Sequence, residues 1–339
     1  MRAVILVGGF GTRLRPLTLG LPKQMLPVVG VTMLERVVAK LASHGVDDVV
    51  LSLGYRPDVF TSAFPDGTCA GARLHYAVEP EPLDTAGAIR FAALDAGIDE
   101  RFIAVNGDVL TDLDVSDLCA RHERFGGAAT IALTPVDDPS CYGVVPLRDD
   151  GRVKAFIEKP APGTAPSHWI NAGTYVLEPS VLDLVEPGRK VSIEREVFPV
   201  LVERGELFGV HSDAYWIDAG TPDAYLQATL DLLSGVRGEF EHGIHDTARV
   251  DPSAEVVRSV VGRGAVVGAH ASVVDSIVMD GVRVGAGSVL EQAMVGTGSV
   301  IGEGCKLRDH TVIGADVDVL AGTDLSAGRL PPPEQWPAT

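Results

Sequence analysis

Hydrophobic and polar positions divide the chain into two parts with different periods. Up to about residue 235, short apolar runs alternate with segments whose apolar residues recur every three or four positions, the pattern of strands followed by amphipathic helices. In the segment 32–45, TMLERVVAKLASHG, the apolar positions share one face, while Thr32 and Glu35 form a capping box. The pattern predicts βαβ units around a mostly parallel sheet, which is the α/β fold class.

The same alternation predicts individual elements. Strands are expected at 4–7, 48–53, 73–78, 101–108, 129–136 and 143–147, and helices at 32–45, 83–97 and 114–126. A further helix is expected after the segment WIDAGTP, because Thr221 and Pro222 are residue types favoured at the N-cap and the first helical position.

From about residue 243, aliphatic residues precede glycines at intervals of six, as at Gly262 and Gly268. Six residues is the period of one side of a parallel β-helix, whereas a flexible glycine-rich linker would not need a β-branched residue before nearly every glycine. The period is broken between 274 and 296, which indicates shortened turns there, and 328–339 is expected to be a frayed tail. The pattern therefore predicts two domains, residues 1–235 and residues 236–330.

Composition narrows the possible partners. The hydrophobic content of 46% indicates sizeable cores, and the formal net charge of -18 argues against nonspecific binding of nucleic acid. Four scattered cysteines without CxxC spacing argue against a zinc site or a disulfide framework and suit a reducing compartment. No apolar stretch approaches the length of a membrane span, so we expect a cytoplasmic protein without a membrane partner.

A glycine-rich turn follows the first predicted strand. Its candidate phosphate-binding residues are Gly8, Gly9, Gly11 and Thr12. Glycines let the backbone approach a phosphate and point N–H groups at it, and the threonine adds a hydroxyl. The turn lacks the third glycine of a GxGxxG loop, because position 14 is Leu, and it lacks the GK[ST] of a Walker loop. A dinucleotide-binding or P-loop interpretation is therefore poor.

Cations lie close to this turn. Arg13 and Arg15 come directly after it, and Lys23 stands between Pro22 and Pro27. Fixed cations near a phosphate cradle fit the neutralisation of a polyphosphate leaving group. The alternative is that they are ordinary surface charges.

GGFGTRLRPLT followed by PKQMLPV resembles the signature of sugar-1-phosphate nucleotidylyltransferases, and the similarity extends through the whole chain. The resemblance implies a Rossmann-like, mostly parallel sheet with helices on both faces, followed by a left-handed parallel β-helix. It also implies that the glycine turn holds the nucleotide phosphates and that Arg13 and Lys23 are catalytic, steadying the triphosphate and the departing pyrophosphate.

Two aspartates occupy further landmarks of that family. Asp108 ends the predicted strand in VNGD, at the edge where open α/β sheets bind ligands, and Asp218 lies in WIDAGTP. By resemblance both bind Mg²⁺, which takes oxygen ligands, although each alone is also a common turn or cap residue. Asn106 and Gly107 of VNGD are expected to contact the nucleotide.

The resemblance also assigns the sugar and the base. Residues expected to bind the sugar phosphate are Gly143, Glu158, Lys159 and Asn171. In FIEKP, Glu158 and Lys159 would point in alternate directions if extended and so serve the sugar hydroxyls and the phosphate separately, unless they are a solvated edge-strand pair.

The segment 79–90, EPEPLDTAGAIR, is expected to close over the base, with Asp84, Thr85 and Gly87 as nucleotide contacts. Relatives commonly have glycine at the position of Asp84. We hypothesise that the Asp84 carboxylate accepts hydrogen bonds from guanine N1 and N2, and the alternative is that it caps the following helix.

The implied reaction joins a nucleoside monophosphate from an NTP to a sugar 1-phosphate and releases pyrophosphate. The chain most resembles the shorter bacterial enzymes that make GDP-mannose from GTP and mannose 1-phosphate. Alternatives are glucose-1-phosphate thymidylyltransferases, adenylyl or uridylyl relatives, non-catalytic regulatory subunits and, through His270 or His310, hexapeptide acyltransferases. We expect a homo-oligomer, dimer or tetramer, assembled through the β-helix.

Overall fold

The computed structural model describes residues 1–238 and 240–337, and these pack into two compact units. The sheet unit comprises Met1–Gly9 and Leu34–Trp216, and the coil unit comprises Phe10–Met33 and Ile217–Thr339. This division follows spatial packing, and the sequence domains 1–235 and 236–330 stay a prediction.

The elements are numbered in chain order. The α-helices of the described residues are α1 (Met33–Ser43), α2 (Pro57–Ala63), α3 (Asp84–Asp95), α4 (Val115–Phe125), α5 (Phe198–Arg204) and α6 (Pro222–Leu233). The strands before the repeat region are β1 (Arg2–Leu6), β2 (Pro27–Val28), β3 (Val31–Thr32), β4 (Asp48–Leu53), β5 (Thr68–Cys69), β6 (Ala72–Val78), β7 (Phe102–Asn106), β8 (Val109–Thr111), β9 (Ala129–Pro135), β10 (Gly143–Val144), β11 (Ile157–Glu158), β12 (Trp169–Leu177), β13 (Leu207–His211) and β14 (Trp216–Asp218).

The sheet unit is built on a mixed sheet with the order β11-β10-β12-β7-β1-β4-β6-β5, in which β9 lies beside β12 and β13 beside β9. The central strands β7, β1, β4 and β6 are parallel. Ala3, Val4 and Ile5 of β1 are fully buried, as in a parallel strand covered on both faces. Antiparallel pairing appears at β12, because β10, β11 and β12 are joined by connections that contain no crossover helix. The α/β fold class is confirmed.

Most predicted elements occur close to their expected bounds. The strand expected at 48–53 is β4, and the helix expected at 83–97 is α3. Helix α1 ends at Ser43, and Gly45, two residues later, adopts φ +80. The strand expected at 143–147 is shorter than predicted, since only β10 forms there.

Short strands fill the coil unit after residue 248. In chain order they are β15 (Arg249–Val250), β16 (Glu255–Val257), β17 (Val260–Val261), β18 (Val266–Val267), β19 (Ser272–Val274), β20 (Ile277–Val278), β21 (Arg283–Val284), β22 (Val289–Glu291), β23 (Met294–Val295), β24 (Val300–Ile301), β25 (Lys306–Arg308), β26 (Val312–Ile313), β27 (Asp318–Val319), β28 (Asp324–Ser326) and β29 (Arg329–Leu330). Every third strand joins the same parallel sheet, and the three sheets are consistent with a left-handed β-helix.

The break in the six-residue period is not confined to 274–296, as the sequence suggested. Val261 aligns with Val278, and Val278 with Val295, so that these turns repeat after 17 residues and have one short side, whereas Val295 aligns with Ile313 after a full 18 residues. Serine makes this short corner possible. The Ser259 hydroxyl accepts a hydrogen bond from the Ser276 N–H at 3.0 Å and donates to the Val257 carbonyl at 2.8 Å. The hydroxyl thus replaces a backbone partner that the tighter corner removes.

The C-terminal segment is ordered, which corrects the expectation of a frayed tail. A 3₁₀ turn spans Pro333–Gln335, and the Trp336 indole N–H donates to the Pro331 carbonyl at 2.9 Å. This bond closes the segment on itself, because the indole N–H finds its acceptor within the same segment. Residues 338 and 339 lie outside the described residues.

None of the helices in the described ranges is long and apolar enough to cross a membrane. The four cysteines are unpaired: Cys69 and Cys305 are buried, and Cys141 is exposed.

Candidate active site

The glycine turn after β1 ends in a tight loop at Gly11, which adopts φ +62. A Cβ at this position would lie 3.1 Å from Cβ of Lys23 and 3.2 Å from Cγ2 of Thr18. The Thr18 hydroxyl donates to the Gly11 carbonyl at 2.7 Å and closes the loop. Glycine is therefore required here both by the left-handed backbone and by the close approach of Lys23. Thr12 follows, exposed, at the start of a 3₁₀ turn.

Arg13 and Asp218 come together in the coil unit. Their closest atoms, Nη2 and Oδ2, are 3.9 Å apart, and the side chains are 61% and 26% exposed. The other Asp218 oxygen accepts a hydrogen bond from the Gly220 N–H at 2.9 Å. Thr221 then caps α6 through the Ala224 N–H at 3.3 Å, as predicted. An exposed ion pair of this length contributes little stability, so the Arg13 guanidinium can exchange partners at small cost.

Lys23 begins a 3₁₀ turn that ends at Met25. The turn is anchored on its buried side by Gln24 and Met25, which are 1% and 8% exposed. The Gln24 Oε1 has no hydrogen-bond partner among the described residues, an unusual arrangement for a buried amide. Arg15, which the sequence places beside the turn, is instead engaged by the tail, since its Nη1 donates to the Pro337 carbonyl at 3.1 Å.

In the sheet unit, the residues after β1, β4 and β6 meet at one edge. A Cβ on Gly54 would lie 3.2 Å from the Gly8 carbonyl oxygen, and a Cβ on Gly8 would lie 3.3 Å from Oε1 of Glu79. Gly9 is exposed beside this contact. Gly8 is thus held against its neighbours by backbone packing, which adds a structural requirement to the expected phosphate contact.

Glu79 is a residue of this edge that sequence reasoning missed. Its carboxylate accepts hydrogen bonds from the Ser52 hydroxyl at 2.9 Å and the Leu83 N–H at 3.1 Å. It therefore ties β4 to the loop that leads into α3. Its position directly after β6, at the carboxyl end of a parallel strand, was the available signal.

The start of α3 is fixed by the segment 191–194. The Thr85 hydroxyl donates to Glu194 Oε2 at 2.7 Å and accepts from the Ile193 N–H at 2.8 Å. A Cβ on Gly87 would lie 3.0 Å from the carbonyl oxygen of Arg189. Thr85 and Gly87 thus have structural partners within the sheet unit, and their contact with a nucleotide stays a prediction.

Asp84 is exposed and adopts φ +61. Its Oδ1 accepts a hydrogen bond from the Thr85 N–H at 2.7 Å, so one carboxylate oxygen satisfies an amide at the first turn of α3. Asp84 is the first residue of α3, and the N-cap residue Leu83 makes no side-chain cap bond, so this bond to the next residue does not meet the helix-cap alternative. A role in reading guanine would fall to the other oxygen and stays a prediction.

The end of β7 contributes Asn106, Gly107 and Asp108. The Gly107 N–H donates to the Leu6 carbonyl at 3.1 Å, and a Cβ on Gly107 would lie 2.8 Å from Cγ1 of Val7. This packing fixes the turn, in which Asp108 is 8% exposed.

The residues expected to bind sugar lie near the bulge of β12. The Asn171 side chain donates to the Tyr175 hydroxyl at 2.8 Å and accepts from the Gly173 N–H at 2.9 Å. Gly173 adopts φ +72, and a Cβ there would lie 2.7 Å from Nδ2 of Asn106. The structure therefore brings Asn171 and Asn106 to one place. Tyr175 is fully buried, and this burial raises the pKa of its phenol.

Glu158 and Lys159 do not point in alternate directions. Lys159 adopts φ +48, which ends the extended backbone, and its Nζ lies 3.6 Å from Oε1 of Glu158. The two charges therefore form a pair with each other. Gly143 aligns with Glu158 across β10 and β11, and a Cβ on Gly143 would lie 2.6 Å from the Phe156 ring. Packing against Phe156 is thus sufficient to require this glycine.

The two coil histidines lie at turns. His270 adopts φ +56 with its N–H bonded to the Ser253 hydroxyl, and His310 Nδ1 lies 3.1 Å from Oδ1 of Asp223 on α6. His310 thus has a structural partner within the coil unit.

Two protein-family models match successive parts of the chain. The family model described as nucleotidyl transferase matches residues 2–235, and the model described as GMPPB C-terminal domain matches residues 240–332. The chain is 41% identical to a mannose-1-phosphate guanylyltransferase of Mycobacterium tuberculosis, over 78% of this chain and 76% of that protein. It is 39% identical to a mannose-1-phosphate guanyltransferase of Schizosaccharomyces pombe, over 76% and 73%.

Among solved structures, HddC from Yersinia pseudotuberculosis superposes with a TM-score of 0.59 at 31% identity, covering 67% of this chain and 97% of that one. The family match spans well over half of the chain and includes every residue that the sequence assigned to the site. The chain therefore belongs to the nucleotidyl transferase family and is a nucleotidyltransferase.

Proposed function

We propose that the enzyme transfers a guanylyl group from GTP to mannose 1-phosphate, giving GDP-mannose and pyrophosphate. The observation that carries this proposal is the similarity to relatives named for that activity, which extends over about three quarters of each chain at 41% and 39% identity. The match of residues 240–332 to the GMPPB C-terminal domain supports it independently.

In this reaction an oxygen of the sugar phosphate attacks the α-phosphorus of GTP in line. The new P–O bond forms as the bond to the bridging oxygen breaks, and pyrophosphate leaves with that electron pair. The attacking phosphate is already anionic near neutral pH, so no general base is needed. Catalysis depends on holding two polyanions together and stabilising the charge that develops on the leaving group.

Arg13 and Lys23 are the residues that we assign to the leaving pyrophosphate. Arg13 is mostly exposed and only weakly paired to Asp218, so a phosphate can take over its guanidinium. Lys23 is held by its 3₁₀ turn and by the close approach of Gly11. A guanidinium and an ammonium fixed in this way need little reorganisation when charge develops.

The family generally uses a divalent metal such as Mg²⁺. We propose that Asp108 and Asp218 hold it through carboxylate oxygens, the hard ligands that Mg²⁺ prefers. Asp218 fits this role, since one of its oxygens accepts the Gly220 N–H and the other, 3.9 Å from the Arg13 guanidinium, belongs to a partly exposed carboxylate. The bound ion would supply positive charge between the two phosphate groups. No group of three metal-binding side chains occurs within the described ranges, and Mg²⁺ commonly completes its shell with water and substrate phosphates.

The remaining assignments follow the same proposal. Nucleotide contacts are Gly8, Gly9, Gly11, Thr12, Asp84, Thr85, Gly87, Asn106 and Gly107, and sugar-phosphate contacts are Gly143, Glu158, Lys159 and Asn171. Asp84 supports guanine selection through its exposed carboxylate. An Asp84→Gly enzyme that keeps the wild-type preference among GTP, dTTP and ATP would refute that role.

We further propose that residues 1–235 form the catalytic domain and residues 236–330 a β-helix domain through which copies assemble into a dimer or tetramer in the cytoplasm. Val266 and Val300, 36% and 38% exposed, lie on one sheet of the coil with Arg283 aligned between them, and Val257, 44% exposed, lies on another sheet.

The experiment is a matrix of nucleoside triphosphates against sugar 1-phosphates, read by pyrophosphate release with and without EDTA. GTP with mannose 1-phosphate should give the highest kcat/KM, and EDTA should abolish release until Mg²⁺ is added. Lys23→Ala should lower kcat by about a hundredfold, whereas Lys306→Ala, an exposed lysine of β25, should not. Faster turnover of dTTP with glucose 1-phosphate would replace the proposed substrates, and normal turnover by Lys23→Ala would refute its role.

A further inference from the structure

The loop 10–33, which carries Arg13 and Lys23, packs with the coil and with α6 in one compact unit. One contact is made at Gly314, which follows β26. A Cβ on Gly314 would lie 3.2 Å from Cβ of Pro16 and 3.3 Å from Cδ of Pro331. Pro16 of the loop and Pro331 of the tail therefore both pack against Gly314.

The tail makes a second contact with the loop. The Arg15 guanidinium donates to the Pro337 carbonyl at 3.1 Å. The tail between Pro331 and Pro337 is internally braced by the Trp336 indole, whose N–H donates to the Pro331 carbonyl at 2.9 Å. Arg15 thus reaches a segment that is itself anchored at Gly314.

Other parts of the loop are packed, since Leu14 and Leu26 are buried and the Tyr225 hydroxyl donates to the Pro27 carbonyl, but the stretch after Arg15 also borders open space. A cavity of about 750 Å³ separates its apolar residues Leu17, Leu19 and Leu21 from coil residues that include Thr297 and Val317. A wall that borders a cavity lacks packing partners on one side, so it resists displacement weakly. The contacts at Gly314 and Pro337 are therefore expected to contribute strongly to the position of the segment that follows Arg13.

We propose that the C-terminal tail, residues 331–337, and Gly314 together position Arg13 for its action on the leaving pyrophosphate. This inference rests on the proposed function, and it gives the coil a role in catalysis besides assembly. Arg15 and Pro16 act through Arg13, which lies within three residues of both. A displacement of about 1 Å at a catalytic group can cost about a hundredfold in rate, so even partial loss of this support is measurable.

The first test is a chain that ends at Leu330. We expect its kcat to fall about tenfold, with a smaller change in the KM for GTP, because the lost support affects the geometry of the reaction more than initial binding. Amide hydrogen exchange should become faster in residues 12–20, where the Leu14 and Leu17 N–H groups are bonded within the loop, and remain unchanged in β4. Unchanged kcat and unchanged exchange in 12–20 would overturn the proposal.

The second test uses matched glycine substitutions in the last coil turns. Gly314→Ala places a methyl group against Pro16 and Pro331, whereas Gly328→Ala places one 3.3 Å from the Leu325 side chain and away from the loop. Gly314→Ala should lower kcat at least fivefold, and Gly328→Ala should leave it within twofold. Equal effects of the two substitutions would show only general disturbance of the coil and would overturn the proposal.

Failure of this inference and failure of the proposed function are distinguishable. If the full-length enzyme releases no pyrophosphate from any tested pair, the proposed function fails. If the full-length enzyme is active and the shortened chain is equally active, only the positioning role of the tail fails.

Discussion

Gly11 is the position at which a single methyl group tests the architecture of the loop most directly. Gly11→Ala forces a residue with a Cβ into φ +62, which costs about 1–2 kcal/mol for an L-residue. The same methyl group would lie 3.1 Å from Cβ of Lys23 and 3.2 Å from Cγ2 of Thr18, so both neighbours must retreat by a few tenths of an ångström.

These two effects act on Arg13 and Lys23, the two cations that we assign to the leaving pyrophosphate. Relief of the backbone strain would change the path from Gly8 to Arg13, and relief of the contact would move Lys23. Since a misplacement of about 1 Å costs about a hundredfold, a shift of a few tenths of an ångström predicts about a tenfold loss of kcat. The Thr18–Gly11 bond of 2.7 Å would also weaken, which adds to the mobility of the loop.

The assay is pyrophosphate release under saturating substrates, and Gly20→Ala is the matched control. Gly20 lies in the same loop, has no positive φ, and a Cβ there meets no atom within 4 Å. The control should therefore retain wild-type kcat. Gly11→Asn separates the two causes, because Asn tolerates the left-handed backbone but keeps the Cβ. A Gly11→Ala enzyme with kcat within twofold of wild type would refute the reasoning.

Three further predictions concern stability and reactivity. Gln24→Met removes a buried Oε1 without a hydrogen-bond partner, so the free energy of unfolding should rise by about 1 kcal/mol. Thermal unfolding should show this as a higher midpoint, and a lower midpoint would contradict it. Burial lowers the pKa of His122 in the folded protein despite its bond to Glu178, so the unfolded state takes up the proton first and the free energy of unfolding falls as pH falls from about 6.5 toward the folded pKa. His122→Gln should flatten this loss in thermal scans from pH 7 to 5, and an equally steep loss in the variant would argue against it. In the native protein a thiol reagent should label the exposed Cys141 quickly and spare Cys69, because burial raises the pKa of the Cys69 thiol to about 12. A Cys141→Ser chain that still shows rapid labelling would refute this order.

Periodicity predicted the regular elements because their physics is local. The β4 strand and the α3 helix were found from apolar spacing and end signals alone, and Thr221 and Pro222 correctly marked the start of α6. Such features depend on residues within one or two turns of each other, so a single sequence contains the necessary information.

The finer geometry of the site depended on residues that are distant in sequence. Alternation predicted opposite directions for Glu158 and Lys159, but the left-handed backbone of Lys159 paired the two charges. The contact between Glu194 and Thr85 crosses 109 positions of the chain, and no local pattern announces it. The glycines illustrate the same limit. The family resemblance explained Gly87 and Gly143 by contact with ligands, whereas the structure shows that packing against protein neighbours also requires glycine at both positions.

The loop 10–33 shows why this distinction matters for function. It folds into two 3₁₀ turns and a short hairpin, and its sequence has no helical or strand period from which its place in the fold could be predicted. Its partners are supplied from far along the chain: the Tyr225 hydroxyl of α6 donates to the Pro27 carbonyl at 2.5 Å, and Pro337 accepts from Arg15. A repeat region that its sequence assigns to assembly therefore also contacts the loop that carries Arg13 and Lys23. Because that support is made of a few contacts beside a cavity, substitutions in the last coil turns should act on turnover before they act on folding.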